Sequence, residues 1–324
     1  MRYLDPKNDL TFKKVFGQHP HLLISFLNAL LPLPAPIESI EYLPHELVPE
    51  VPLLKNSIVD VRCIDENGRQ FIVEMQMLWT DSFKTRVLFN ASKAYVQQLS
   101  RGREYKGIQP VYALSLINDI FEKDTPEFYH HYALVHQQDN NRRLEGLELV
   151  FVELPKFKPQ TIQAKKMQVL WLRYLTEIKD NTEQISEDLL NDPSVSEALI
   201  YLQESAFSLA ELAGYDRYWD SISVERTLIA DFEEKGMNRG LEKGIQRGIE
   251  QGIQQGIQQG VQQGIQQGIQ QGVQQGIEQE RQEQVAKKLV DKRLMAKNLK
   301  EMDVLSLEQI AQITGLPIAE IENS

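Results

Sequence analysis

Apolar residues recur at helical spacing across 9–31, where "DLTFKKVF" runs through Gly17 into "HLLISFLNALL". Asp9 is the expected N-cap of the first helix and Gly17 its stop. After an irregular, proline-rich connection over 32–52 the period changes. "IVDVRCIDENGRQFIVEMQM" (58–77) alternates, which predicts a β-hairpin. Residues two apart share a strand face, so Ile58, Asp60 and Arg62 fall on one side and Val59, Val61 and Cys63 on the other. On the second strand Ile72, Glu74 and Gln76 share a face, with Phe71, Val73, Met75 and Met77 opposite. A two-residue Asn-Gly loop would set Glu74 across from Val61 and mix the two sets. A three-residue loop, Glu66-Asn67-Gly68, closes Asp65 on Arg69 with Gly68 left-handed. That register keeps the faces separate and sets Asp60 opposite Glu74.

Residues 81–102 return to a helical pattern, with Asp81 or Ser82 as cap and Gly102 as stop. "PVYALSLI" (110–117) is almost continuously apolar, the signature of a strand covered on both faces. Further strands are expected at "FYHHYALV" and "LELVFVEL", and "NNRR" (140–143) is expected as a solvated turn. Residues 161–232 read as mostly helical, interrupted at "NDPS" and "AGYD".

From Gly236 to Gly276 a glycine occupies every fourth position, eleven of the chain's eighteen, mostly as "GIQQ" or "GVQQ". On a helix this pattern drifts by about 40° per repeat, in the sense opposite to a heptad. Close contact with another copy would offset the poor helix propensity of glycine; a flexible polar tether is the alternative. Residues 280–300 resume an ordinary helical pattern, and "SLEQIAQITGLPIAEI" is a small helix–Gly turn–helix. The expected organisation is a mixed α/β domain at 1–160, a helical extension at 161–235, the repeat at 236–279 and a helical segment at 280–324.

Composition narrows the function. Hydrophobic residues make up 42% of 324, enough for a sizeable core. The one cysteine, Cys63, excludes an internal disulfide framework and fits a reducing compartment. No apolar run is long enough to span a bilayer, and the first residues lack the apolar core of a signal peptide, so a cytoplasmic location is expected. The net charge of −11 is uneven: residues 1–120 balance and residues 121–235 carry −10. A basic surface of the kind that tracks nucleic acid is absent from composition, and the last 24 residues hold no Lys or Arg. Any role on DNA has to come from a localised site.

Facing carboxylates at Asp60 and Glu74 repel unless a cation lies between them. An octahedral Mg²⁺ suits such a pair, because it takes few protein oxygens and keeps several waters. The backbone carbonyl of Met75 can add a ligand, and Gln76 would lie beside a metal-bound water. That is the layout for hydrolysing a phosphodiester. His130 and His131 point apart on one strand and cannot share a metal, Cys63 falls on the apolar face, and Trp79 reads as packing.

The acid on one strand followed by Glu74-Met75-Gln76 on the next resembles the PD-(D/E)xK nuclease superfamily, with Gln where Lys is usual. Together with "LDPKNDLTFKKVFG" and "FKTRVLFNASKAYVQQLSRGREYKGIQPVYALSLI", it resembles the Rpn family of recombination-promoting nucleases, also described as transposases, over about residues 3–155. The resemblance implies a restriction-endonuclease-like α-β-β-β-α-β core and metal-dependent DNA endonuclease activity linked to recombination. Carried over, Asp60 and Glu74 become metal ligands and Gln76 takes the place of the lysine. A glutamine brings no positive charge, which Arg86 or Lys84 on the next helix would compensate. Asp9 approaches as a further ligand, or serves only as a cap. The expected partners are DNA and further copies of the chain joined through the repeat; the alternative is a degenerate nuclease fold acting as an oligomerising interaction protein.

Overall fold

A computed structural model of the protein describes residues 2–47, 57–99, 104–159, 166–180 and 182–323. The chain divides into two units, Met1–Phe232 and Glu233–Ser324. The first opens with α1 (Asp9–Phe16) and α2 (Pro20–Leu30), separated at Gly17, whose N–H closes on the Lys13 carbonyl. Asp9 does not cap α1. Asn8 does, its side chain accepting from the Leu10 N–H at 2.9 Å, which leaves Asp9 in the first turn with its carboxylate free for other contacts. The local motif is consistent with either residue; burial decides, because Asn8 is fully buried and also donates to the Tyr215 carbonyl at 3.3 Å.

Strands β1 (Ile40–Tyr42), β2 (Glu46–Leu47), β3 (Ser57–Ile58), β4 (Val61–Asp65) and β5 (Gln70–Gln76) follow. Then come α3 (Ser82–Val96), β6 (Val111–Ile117), β7 (Tyr129–His136) and β8 (Asp139–Glu153). Six strands form one sheet in the order β1-β4-β5-β6-β8-β7, and β2 and β3 make a separate small ladder. β5, β6 and β8 run parallel and the remaining pairs antiparallel. Helix, three antiparallel strands, helix and parallel strand thus appear in the expected order. β1 arises inside the proline-rich connection, where three residues paired with β4 leave no alternation long enough to detect. The stop expected at Gly102 lies outside the described residues; the helix itself ends at Val96.

The β4–β5 register agrees with the pattern argument. Val61 pairs with Val73 and Cys63 with Phe71, Asp65 closes on Arg69 at 3.0 Å, and Gly68 has φ +82°. A side chain at this left-handed position is strained, and its Cβ would come within 3.1 Å of Gln109. The turn is further fixed by the buried Asp65 carboxylate, which accepts from the Arg69 Nε at 2.6 Å.

Helices cover both sheet faces. On one, α1, α2, α4 (Lys166–Glu177) and α6 (Pro193–Tyr201) pack on Val61, Cys63, Phe71, Val73 and Met75, with Trp171 and Phe16 at the centre. On the other, α3 packs on Ile72, Val111, Ala113 and Phe151. This explains why β6 is buried along its whole length. Between α4 and α6 lies α5 (Glu187–Asn191), and Asp192 of "NDPS" caps α6 as the break predicted. "AGYD" does not interrupt a helix. It lies inside α7 (Leu209–Glu301), where Tyr215 packs in the core and its hydroxyl accepts from the Asp5 N–H at 2.9 Å. "NNRR" is likewise not a turn but part of β8, following a two-residue turn at Gln137 and Gln138.

In the second unit the glycine repeat is helical throughout, as part of α7. Its Ile and Val side chains from Ile245 to Ile277 are 55–63% exposed. The helix then meets α8 (Leu307–Thr314) and α9 (Ile318–Glu322) around Ala296, Ile310, Leu316 and Ile321. A capping box at Ser306 and Gln309 starts α8, and Gly315 at φ +69° ends it. Among the described residues no helix is long and apolar enough to cross a membrane.

Candidate active site

β4 ends one residue short of the acid that its register sets against Glu74. Val59, expected on the face of Val61 and Cys63, turns instead into the cluster around Ile72 and α3, and its N–H goes to the His45 carbonyl at 3.1 Å. The ladder therefore opens beside Met75. Asp60 fills the gap: its Oδ2 accepts from the Met75 N–H at 2.7 Å, taking the place of a strand carbonyl. The Gln76 carbonyl accepts from the Asn118 N–H at 2.8 Å and so faces β6. Consecutive strand residues face opposite edges, so the Met75 carbonyl points with its N–H toward the opened β4 edge and Asp60.

Glu74 stands on the α3 side of the sheet, 7% exposed. Asn90 donates to its Oε1 at 2.9 Å, and the Arg86 Nη2 is 3.7 Å from its Oε2. The Gln76 amide is engaged at both ends, donating to the Leu78 carbonyl at 2.6 Å and accepting from the Arg86 Nη2 at 2.8 Å. It holds a guanidinium at the site. Lys84 goes elsewhere, pairing with Glu122 at 2.6 Å beside the Phe121 ring. From the opposite sheet face α1 brings Lys13, whose ammonium is 2.6 Å from Asp9 Oδ1 and 3.9 Å from Asp60 Oδ1. The acids open into a cleft of about 690 Å³ that is also lined by Gln76, Arg86, Phe89 and Asn90.

Electrostatics mark the pair. Burial pushes the Asp60 carboxyl up to about 6, and the charges of Asp9 and Glu74 add to this, while the Met75 N–H and Lys13 oppose it. Glu74 is also raised by burial, with Asn90 and Arg86 opposing. The Tyr218 hydroxyl of α7 is raised by burial and then by Asp9 and Asp60.

Among the described residues no three His, Cys, Asp or Glu side chains converge as a metal cage. Two desolvated carboxylates and an edge carbonyl still fit one hard divalent ion, because Mg²⁺ needs only one or two carboxylates and keeps waters in its other positions. Lys13 and Arg86 lie beyond hydrogen-bond distance of the outward carboxylate oxygens and hold neither acid in a tight pair.

Other candidates fall away. His130 and His131 each meet a carboxylate, Glu153 at 2.8 Å and Glu148 respectively. Cys63 is buried with its thiol pushed up to about 12, mainly by desolvation. Trp79 stacks on Phe121 at 4.4 Å. Two site residues were absent from the sequence-derived set, Lys13 and Asn90. The signal for Asn90 was its position as the one polar side chain in the buried stripe Phe83, Val87, Asn90, Ala91, Ala94.

Residues 6–224 match the family described as PD-(D/E)XK nuclease family transposase. The chain belongs to this family. No curated protein and no solved structure matches it. The matched segment starts just before α1 and ends inside α7, so it takes in the whole sheet, both helix layers and the acid pair.

Proposed function

We propose that the protein is a divalent-metal-dependent endonuclease that hydrolyses DNA phosphodiester bonds and promotes recombination. The observation that carries this reading is the break in the ladder before Val61, which turns the Asp60 carboxylate onto the Met75 N–H and into the cleft that Glu74 also lines. Desolvated facing acids cost stability, and a structural role does not call for them. Asp60, Glu74 and the Met75 carbonyl would hold Mg²⁺, which when bound would supply Lewis-acid polarisation of a phosphate oxygen and a more acidic water. Arg86, gripped by Gln76 and 53% exposed, is placed to neutralise a phosphate oxygen in the cleft. Asn90 fixes Glu74 from behind. Hydrolysis adds one water: its oxygen bonds to phosphorus, one ester P–O bond breaks, and the departing oxygen ends with the water's proton.

The second element of the reading is self-association through the repeat. Nine exposed Ile and Val side chains, each directly after a glycine, form a winding apolar stripe on α7. Association of two copies would bring two sites to one duplex.

Supercoiled plasmid with Mg²⁺ tests the activity. Wild-type protein nicks or linearises it, and Glu74→Gln, which keeps an acceptor for Asn90, lowers the rate by about 10³-fold or more. Equal cutting by both would mean that Glu74 does not carry the activity, and no cutting by folded wild type contradicts the reading and leaves the degenerate interaction protein.

A further inference from the structure

Gln76 leaves the strand without the lysine of its motif, and it is already committed to Arg86 and Leu78. We infer that Lys13, reaching the site from α1, is the catalytic lysine of this chain, and that Asp9 is its positioning residue. The inference rests on the nuclease reading and assigns a role within that site.

The first motif, "LDPKNDLTFKK", separates into two sets. Asp5, Lys7, Asn8 and Thr11 are buried and satisfied within the fold: Lys7 bonds Asp5 and the Leu175 carbonyl, Asn8 caps α1, and Thr11 bonds the Asp5 carbonyl. Asp9 and Lys13 are one helical turn apart on the other side of α1 and partly exposed, and the Lys13 ammonium lies between Asp9 and Asp60. Lys14, the neighbouring cation, is turned away onto the Phe207 ring and the Ala206 carbonyl.

Distances give the two contacts of Lys13 different meanings. At 2.6 Å the Asp9 contact is a charge-assisted hydrogen bond that aims the ammonium. At 3.9 Å the Asp60 contact is too long for one, so Lys13 is adjacent to the acid without being locked on it. An ammonium on a flexible stem can then move onto a phosphate oxygen whose negative charge grows as water attacks. Arg86 and Lys13 approach the acid pair from opposite faces of the sheet, one beside Glu74 and the other beside Asp60. A substrate phosphate bound at the pair would be flanked by both.

The test uses the full chain with two readouts: plasmid cleavage in Mg²⁺ and Ca²⁺ affinity by calorimetry. Lys13→Ala is expected to lower cleavage by about 10²–10³-fold, the scale for loss of one charge-stabilising group. Its Ca²⁺ affinity stays equal or rises, because a like charge beside Asp60 has gone. Lys13→Arg restores at least a tenth of wild-type cleavage, and Asp9→Asn falls between wild type and Lys13→Ala. Wild type that cuts beside a Lys13→Ala that cuts within about threefold of it overturns the inference while leaving the nuclease reading intact. A tenfold loss of Ca²⁺ affinity in Lys13→Ala also overturns it, since Lys13 would then be supporting the acids. Wild type that does not cut overturns the nuclease reading and the role of Lys13 with it.

Discussion

Asp60→Asn is more stable than wild type at pH 7 in the absence of divalent ions, by about 2 kcal/mol, and does not cut DNA. Burial raises the Asp60 carboxyl to about 6 in the folded protein, above its ordinary 3.8. A shift of roughly two units corresponds to about 3 kcal/mol, reduced here because the side chain is 23% exposed. The sign follows from linkage. The folded state holds the proton more tightly than the unfolded state, so this group's contribution is fully present below about pH 4 and is lost as pH rises through about 6. Wild type therefore loses stability relative to Asp60→Asn between those values, and the difference levels off above pH 7. Asparagine keeps an oxygen acceptor for the Met75 N–H, so the local geometry survives. Urea melts of the two proteins at several pH values measure the effect; a variant less stable than wild type at pH 7 would show that Asp60 serves the fold.

Replacing the eleven repeat glycines with alanine has the largest expected effect on helix stability. At about 1 kcal/mol for each substitution inside a helix, the sum is on the order of 10 kcal/mol. In a single chain nothing opposes it, because a Cβ at each position from Gly236 to Gly276 meets no atom within 4 Å. The glycines are costly to the helix that contains them, and under the proposed self-association close approach of a second backbone would offset that cost. The alanine variant therefore melts at a higher temperature as a monomer but associates at least tenfold more weakly in sedimentation equilibrium. Unchanged or stronger association would put the interface elsewhere, and a monomeric wild type would leave the repeat as a spacer.

The parts of the fold visible in the sequence are those in which one local period decides the outcome. The hairpin register followed from keeping Phe71, Val73 and Met75 off the face of Glu74, and β6 followed from its unbroken apolar run. What the sequence hid depends on contacts between distant segments. β1 exists because β4 offers it an edge. Asn8 displaces Asp9 as cap because α7 buries it through Tyr215. "AGYD" stays helical because Tyr215 needs that helix in order to reach Asp5. In the candidate site, the grouping of Asp60, Glu74 and Gln76 was legible from the alternation along the hairpin, and the approach of Arg86 from its place on the next helix. Lys13 was not, since its helix packs on the opposite face of the sheet and no spacing in the chain links it to Asp60. The limit of β4 at Val61 was equally hidden, although it is what turns the Asp60 carboxylate onto the Met75 N–H.

Calorimetric titration of Mg²⁺ into wild type, Asp60→Asn and Glu74→Gln tests most directly whether the two acids form one metal site. Wild type should take up the ion, with each variant binding at least tenfold more weakly; equal binding by all three would mean that Asp60 and Glu74 do not hold it.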